Sequence, residues 1–332
     1  MKISQLGEFG LLKHISKLLE TSSKQQPNQL VKGIGDDGAA WRSSDTLQIV
    51  STDIMLENIH FTCDSISFRE LGYKALAVNL SDIAAMGGMP RYALISLALP
   101  PATELEDALD LYRGMIEVAE RYNTAIIGGD TSSSDTIMLS ITIGGEAFSP
   151  DNLLTRDNAK PGDMIGVSGH LGGAAAGLRL LNDKKQARNI PVELAKAFYC
   201  PIPRFKLAEL LVKYGVNTTI DISDGLLIDL GHILESSGSS ATIETGKIPL
   251  YTTAVAAFGS EALALALYGG EDYELLFTAP KKVMDMIIKD APCLISIIGE
   301  IGDGKVGKIE LHDKKGKPIT AHKKGWEHFS ND

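Results

Sequence analysis

The chemistry this sequence can offer rests on aspartates. Asp36, Asp37, Asp53, Asp82, Asp130, Asp221 and Asp224 each stand in or beside an apolar segment, with Ser, Thr or Gly as neighbours. A surface carboxylate normally shares its element with other polar residues. Carboxylates delivered at strand ends converge on one edge of a sheet, as ligand sites do in open α/β folds. Such a cluster repels itself unless cations neutralise it, and oxygen-only ligands select hard cations such as magnesium. Capping and turn formation compete for single members: Asp224 can cap the helix after it, and Asp130 can hold a turn.

The first of these segments, Gly33-Ile34-Gly35-Asp36-Asp37-Gly38, fits G-x-G-x-x-G as a string. It fails as a dinucleotide loop, because Asp36 and Asp37 put negative charge where a pyrophosphate would sit, and a strand follows where a helix is required. No V-A-I-K strand or H-R-D loop supports a protein-kinase reading, and neither a P-loop nor G-x-S-x-G is present. A loop presenting carboxylates to cations, or a solvated Asp-Gly turn, remains. Gly172-Gly173 with Gly177 fits a helix start near a phosphate, or close packing of that helix, and packing is the preferred reading.

The elements that must position these residues alternate between strand and helix. Leu6, Phe9, Leu12, Ile15 and Leu19 recur at helical spacing. Residues 46–51 read as a strand delivering Ser51-Thr52-Asp53 at its end. Ser67 and Glu70 form a capping box for a helix to about residue 86, and Thr103 with Glu106 forms a second for a helix to about 122. Residues 92–99 and 137–143 read as strands, and 125–127 as a short buried strand before Gly128-Gly129-Asp130-Thr131 and a polar turn. After a break at Ser149-Pro150-Asp151-Asn152, strands are expected at 164–168, 218–222 and 273–277, with helices from about 174, 205 and 225. Residues 184–188 read as an exposed connection. Asn79-Leu80-Ser81-Asp82 and Asp221-Ile222-Ser223-Asp224 echo each other, a weak hint of related halves. The pattern implies an α/β (α+β) protein.

With 332 residues the chain accommodates two domains. Its hydrophobic content of 44% and charged content of 22% are those of an ordinary globular protein. A net charge of −10 sets nucleic acid and anionic membranes aside as partners. Cys63, Cys200 and Cys293 form no C-x-x-C, so neither a disulfide framework nor a zinc site is indicated. No signal peptide or 18-residue apolar run is present, and a reducing cytoplasm is the expected compartment.

These residues together resemble the thiamine-monophosphate kinases, of the superfamily of aminoimidazole ribonucleotide synthetase and selenophosphate synthetase. The resemblance is carried by Gly33-Ile34-Gly35-Asp36-Asp37, Ser51-Thr52-Asp53, Asn58-Ile59-His60-Phe61, the run Lys74 to Asp82, and Gly128-Gly129-Asp130-Thr131. Leu154-Thr155-Arg156, Asp221-Ile222-Ser223-Asp224-Gly225, Gly269-Gly270-Glu271-Asp272-Tyr273-Glu274 and Gly325-Trp326 carry it through the second half. It implies an N-terminal domain over 1–150, a mixed, ferredoxin-like sheet with helices on one face that binds ATP and magnesium and dimerises. A C-terminal α/β sandwich over 151–332 would complete the nucleotide and substrate site. It further implies transfer of the ATP γ-phosphoryl group to thiamine monophosphate, giving thiamine diphosphate.

Carried over by position, Asp37, Ser51, Thr52, Asp53, Asp82, Asp130, Asp221 and Asp224 would hold several magnesium ions, with Asp37 preferred to Asp36. Tyr112, Gly129, Asp130, Arg156 and Ser223 would contact ATP; His60, Glu271 and Trp326 would contact the thiamine substrate. The other histidines, His232 among them, read as structural or exposed. The physics is consistent, since a phosphate monoester with a second pKa near 6 is already a nucleophilic dianion and needs no general base. Glu271 suits an exocyclic amine and Trp326 a cationic ring. The competing readings are a relative with another acceptor, a non-catalytic nucleotide or thiamine-phosphate sensor, and a metal-dependent phosphohydrolase.

Overall fold

A computed structural model of the protein describes residues 30–32, 36–183 and 190–319. The helix expected over the first twenty residues, Gly33 to Gly35, the connection 184–188 and Trp326 lie outside the described residues.

The first sheet contains β1 (Leu30–Lys32), β2 (Ala39–Ser43), β3 (Thr46–Leu56), β4 (Gly88–Leu99), β5 (Ala125–Ser133) and β6 (Met138–Ala147). Their order is β1-β2-β3-β6-β4-β5, antiparallel except for the parallel β4–β5 pair. Helices α1 (Phe68–Ala85) and α2 (Leu105–Arg121) cover one face. Strand alternation puts Leu47, Ile49, Ala93, Ile95, Leu139, Ile141 and Ile143 beneath them. The other face leaves Ile54, Tyr92, Leu94 and Ile127 exposed.

The Ser67–Glu70 capping box opens α1 as expected, with both reciprocal bonds made. Nearly every side chain of α1 is buried, because sheet lies on one side of it and helices on the other. Gly72 and Gly114 permit the close crossing of α1 and α2: a Cβ at Gly72 would stand 1.9 Å from the Leu111 carbonyl oxygen, and one at Gly114 equally close to that of Arg69.

Three expectations fail here. Thr103 does not cap α2; Glu104 takes the cap position without a side-chain bond, because Thr103 closes the preceding turn by donating its N–H to the Pro100 carbonyl. Strand β3 runs on to Leu56, so Asp53 lies within a strand and not at its end. Strand β5 is neither short nor buried: it is the edge of the sheet, runs to Ser133 through the expected turn, and is exposed along most of its length.

The second sheet contains β7 (Met164–Ser168), β8 (Thr218–Asp221), β9 (Ser240–Glu244), β10 (Leu275–Ala279), β11 (Ile295–Gly302), β12 (Ile309–His312) and β13 (Pro318–Ile319). It runs β13-β12-β9-β11-β7-β10-β8, antiparallel except between β12 and β9. The helices of this half are α3 (Gly173–Asn182), α4 (Val192–Tyr199), α5 (Phe205–Lys213), α6 (Leu226–Ser237), α7 (Thr252–Phe258), α8 (Glu261–Tyr268) and α9 (Lys281–Asp290).

Strand β10, one in from the edge, is buried on both faces, as its mostly apolar run requires. Leu276 packs with α6 and α8, while Leu275, Phe277 and Ala279 pack with α5, α9 and the end of α1. The result is an α/β sandwich with helices on both faces, and α1 contributes to the cores of both halves. The glycines at α3 serve packing: a Cβ at Gly177 would stand 2.3 Å from the Leu194 carbonyl oxygen. The Asp272 carboxylate occupies the start of α3, accepting from the N–H groups of Gly172 and Ala174.

Candidate active site

The acid cluster forms where β3, α1, the loop before β2 and the end of β8 meet. Ser51 and Asp53 are two apart on β3 and face α1, where Asn79 and Asp82 are three apart and share a face. Asn79 accepts the Asp53 backbone N–H through Oδ1 at 2.9 Å and donates to the Ala75 carbonyl. Ser51 Oγ lies 2.8 Å from the Asp37 carbonyl oxygen and 2.6 Å from Asp82 Oδ2, with one proton to share between them. One carboxylate oxygen from each of Asp37, Asp82 and Asp221 lies within 4.8 Å of the other two.

Arg156 is the one cation paired with Asp37 among the described residues, donating to Asp37 Oδ1 at 2.5 Å through its guanidinium and to Asp36 through its backbone N–H. The Asp pair divides its work: Asp36 pairs with Lys32 at 2.9 Å, while Asp37 turns to Arg156 and the cluster.

Burial pushes Asp37 up to about 6, with Arg156 opposing the rise and Asp221 adding to it. Burial also pushes Asp221 up to about 6, with Asp53 and Asp224 adding to the rise and Ser81 and Arg156 opposing it. Asp82 is driven well above the ordinary carboxylate range by burial and by Asp53, Asp221 and Asp37. Asp53, though part of its surface meets solvent, is likewise raised to about 6, by desolvation and by Asp37. Asp221 Oδ2 is buried without a hydrogen-bond partner, and so is Ser81 Oγ. The neighbouring Ser81 hydroxyl eases the rise of Asp221, yet neither Ser81 Oγ nor Asp221 Oδ2 makes a hydrogen bond of ordinary geometry. A buried carboxylate oxygen without a donor, among other carboxylates, is what an oxygen-coordinated divalent cation would satisfy.

Around the cluster, the segment 269–274 lies along the loop 221–224. Ile222 donates to the Glu274 carbonyl, and Glu271 and Tyr273 donate to those of Ser223 and Ile222. A Cβ at Gly270 would stand 1.9 Å from the Ser223 carbonyl oxygen, so glycine is required for this approach. Glu271 and Tyr273 adopt φ of 67° and 49°, a left-handed conformation uncommon outside glycine and concentrated at functional sites. Tyr273 is held well above the usual phenol range by burial, then by Glu271, Asp53, Asp221 and Asp224. Glu274 is buried in a separate network with Arg204 and Ser168.

The structure does not bring all the expected residues together. Thr52 points away from the cluster, to the uncovered face, where it bonds Thr142 Oγ and the Ile141 carbonyl. Gly129 and Asp130 lie on β5, three strands from β3, roughly 14 Å away at ordinary strand spacing. His60 sits in the turn after β3, its Nδ1 accepting the Leu56 N–H at 2.9 Å, which places its proton on Nε2 in the neutral ring. Tyr112 lines a separate cleft of about 390 Å³ between α2 and β5, with Ile116, Ala119, Glu120, Thr124 and Ile126.

Two residues were missed by the sequence reading. Asp229 and His232, on α6, form with Asp224 a second group whose ligand atoms lie within 4.8 Å. Asp224 does not cap α6; Asp229 Oδ2 accepts the N–H groups of Asp224 and Gly225 instead. Burial and Arg156 push His232 down to about 4, so it is neutral at pH 7. The spacing of Gly225, Asp229 and His232 on one helix face was the available signal.

Residues 35–147 match the family described as AIR synthase related protein, N-terminal domain. A thiamine-monophosphate kinase from Aquifex aeolicus is 34% identical over 99% of this chain and 100% of its own length. The chain belongs to the thiamine-monophosphate kinases. The Haemophilus influenzae member of that family is 37% identical, with 98% of each chain covered. The solved structure "AaThiL complexed with AMPPCP and TMP" superposes with a TM-score of 0.85 at 34% identity, covering 99% of both chains. The two-sheet architecture is therefore that of this kinase family.

Proposed function

We propose that this chain transfers the γ-phosphoryl group of ATP to thiamine monophosphate, forming thiamine diphosphate and ADP. The observation that carries the reading is the convergence of Asp37, Asp82 and Asp221, with a buried unpaired oxygen, in a chain of this family. Its solved relative holds AMPPCP and TMP.

Asp37, Asp82 and Asp221 fit magnesium, Asp53 acts on Asp82 from beside them, and Asp224 with Asp229 offers a further place for a cation. Bound magnesium would neutralise the phosphates that the cluster alone would repel. Arg156 and Ser223 would contact ATP, and the Tyr112 cleft, with Ile116 and Ile126, offers an apolar seat for its base. Glu271, fixed beside the cluster, and His60, with Nε2–H directed by its tautomer, would meet the thiamine end, together with Trp326. The acceptor phosphate is its own nucleophile, and no residue needs to remove a proton from it.

Thr52 and Asp130 enter this reading through a second copy. Both lie on the first sheet, Thr52 facing its uncovered side and Asp130 on the exposed edge strand. The apolar side chains of Ile54, Tyr92, Leu94 and Ile127 on that side suit a homodimer in which one protomer's edge approaches its partner's cluster. None of the described helices is long and apolar enough to cross a membrane. The test is ADP release from ATP and magnesium with and without thiamine monophosphate, with the organic product identified. ADP formed equally without acceptor would mean a phosphohydrolase.

A further inference from the structure

We propose that Lys74 is a positioning residue for the thiamine site: it fixes one oxygen of Glu271 so that the other is presented to the substrate's amine. The proposal rests on the kinase reading, which makes Glu271 a substrate contact.

Lys74 lies in α1 and is completely buried, one of the largest side chains in the protein's described interior to be so. A buried ammonium is costly unless it is paired. Its Nζ stands 2.9 Å from Glu271 Oε1 and 3.4 Å from the centroid of the Phe198 ring. Among the described residues, Glu271 is the only acid paired with it. The ion pair has hydrogen-bond length but not hydrogen-bond alignment, so charge and the ring hold the ammonium in place.

Glu271 is a quarter exposed, so its carboxylate is anchored from inside while part of it meets solvent. Its backbone is fixed independently, by the left-handed φ of 67° and the bond to the Ser223 carbonyl. Two anchors, one on the backbone and one on the carboxylate, leave the side chain little freedom to lose when a ligand binds. Lys74 also cancels the charge of Glu271. The pair therefore offers an aligned acceptor and no net charge, which favours a neutral aromatic amine over an arbitrary cation.

The experiment uses the full-length protein with magnesium and compares Lys74→Met, Lys74→Gln, Glu271→Gln and the double variant Lys74→Met/Glu271→Gln. Lys74→Met is expected to raise KM for thiamine monophosphate about 10-fold or more, with KM for ATP and kcat at saturating acceptor within about threefold. Lys74→Gln, which keeps a donor, is expected to recover part of the loss. The double variant is expected to match Glu271→Gln in KM, since Lys74 acts through Glu271. A folded Lys74→Met with unchanged KM for thiamine monophosphate, or effects that multiply in the double variant, would overturn the proposal. Melting temperatures provide a readout independent of activity. The double variant is expected to melt above Glu271→Gln, which strands a buried ammonium; a lower melting point would refute the pairing. If the wild-type protein itself shows no acceptor-dependent ADP, the kinase reading has failed, while the melting comparison still judges the pair.

Discussion

Replacing Asp221 by Asn is expected to move stability and activity in opposite directions. Asp221 is 2% exposed, its Oδ2 has no hydrogen-bond partner, and one of its oxygens lies within 4.8 Å of one oxygen each of Asp37 and Asp82. Its rise from 3.8 to about 6 corresponds to about 3 kcal/mol by which the fold disfavours its ionisation, an upper bound because the neighbouring carboxylates titrate together. Asparagine keeps the shape, removes the charge and supplies a donor toward Asp37. At pH 7.5 and without metal, the variant is therefore expected to gain about 1–3 kcal/mol, or a few degrees of melting temperature. With magnesium the order reverses: the wild-type protein rises strongly on titration and the variant little, and turnover in the variant falls at least about 100-fold. Thermal melts in EDTA and across a magnesium titration, with ADP release alongside, measure all three. A metal-free variant less stable than wild type, or one that magnesium stabilises equally, would refute the view of this cluster as a self-repelling cation site.

Three further outcomes follow from the same structure. Asp37 and Asp221 are raised in the fold, so their ionisation destabilises it: metal-free stability is full below pH 4, falls as pH rises from about 4 to about 6, and the melting gain from magnesium grows over that window. Gly114→Ala places a Cβ 1.9 Å from the Arg69 carbonyl oxygen and is expected to cost about 1–3 kcal/mol or more in urea unfolding, whereas Gly231→Ala, with open space in α6, is expected to gain up to about 1 kcal/mol. Leu94→Asp with Ile127→Asp, on the uncovered face, is expected to give a folded monomer by sedimentation that has lost turnover; a dimer with normal turnover would contradict the composite site.

The sequence made the short-range features legible where one local signal governed the outcome. The Ser67–Glu70 pair and the β7 run were read correctly because capping and a buried apolar strand are local matters. Thr103 misled because a proline turn claimed its backbone before the helix began. The aspartates could be suspected from their apolar neighbours, but sheet order decides who meets whom: it joins Asp37, Asp82 and Asp221 and leaves Asp130 three strands away. The apolar residues of β5 read as buried although the strand is an edge, since periodicity does not reveal position in a sheet. Asp229 escaped notice because its role is to accept backbone N–H groups across a turn, and Lys74 because a cation in an apolar helix declares its partner only when the chain is folded.

The most direct test of the central claim is ADP release by the full-length protein from ATP and magnesium, with and without thiamine monophosphate, and with Asp53→Asn as the paired variant. Acceptor-dependent ADP with one equivalent of thiamine diphosphate, lost in Asp53→Asn, is the predicted result. ADP without acceptor, or ATP binding without any ADP, would contradict it.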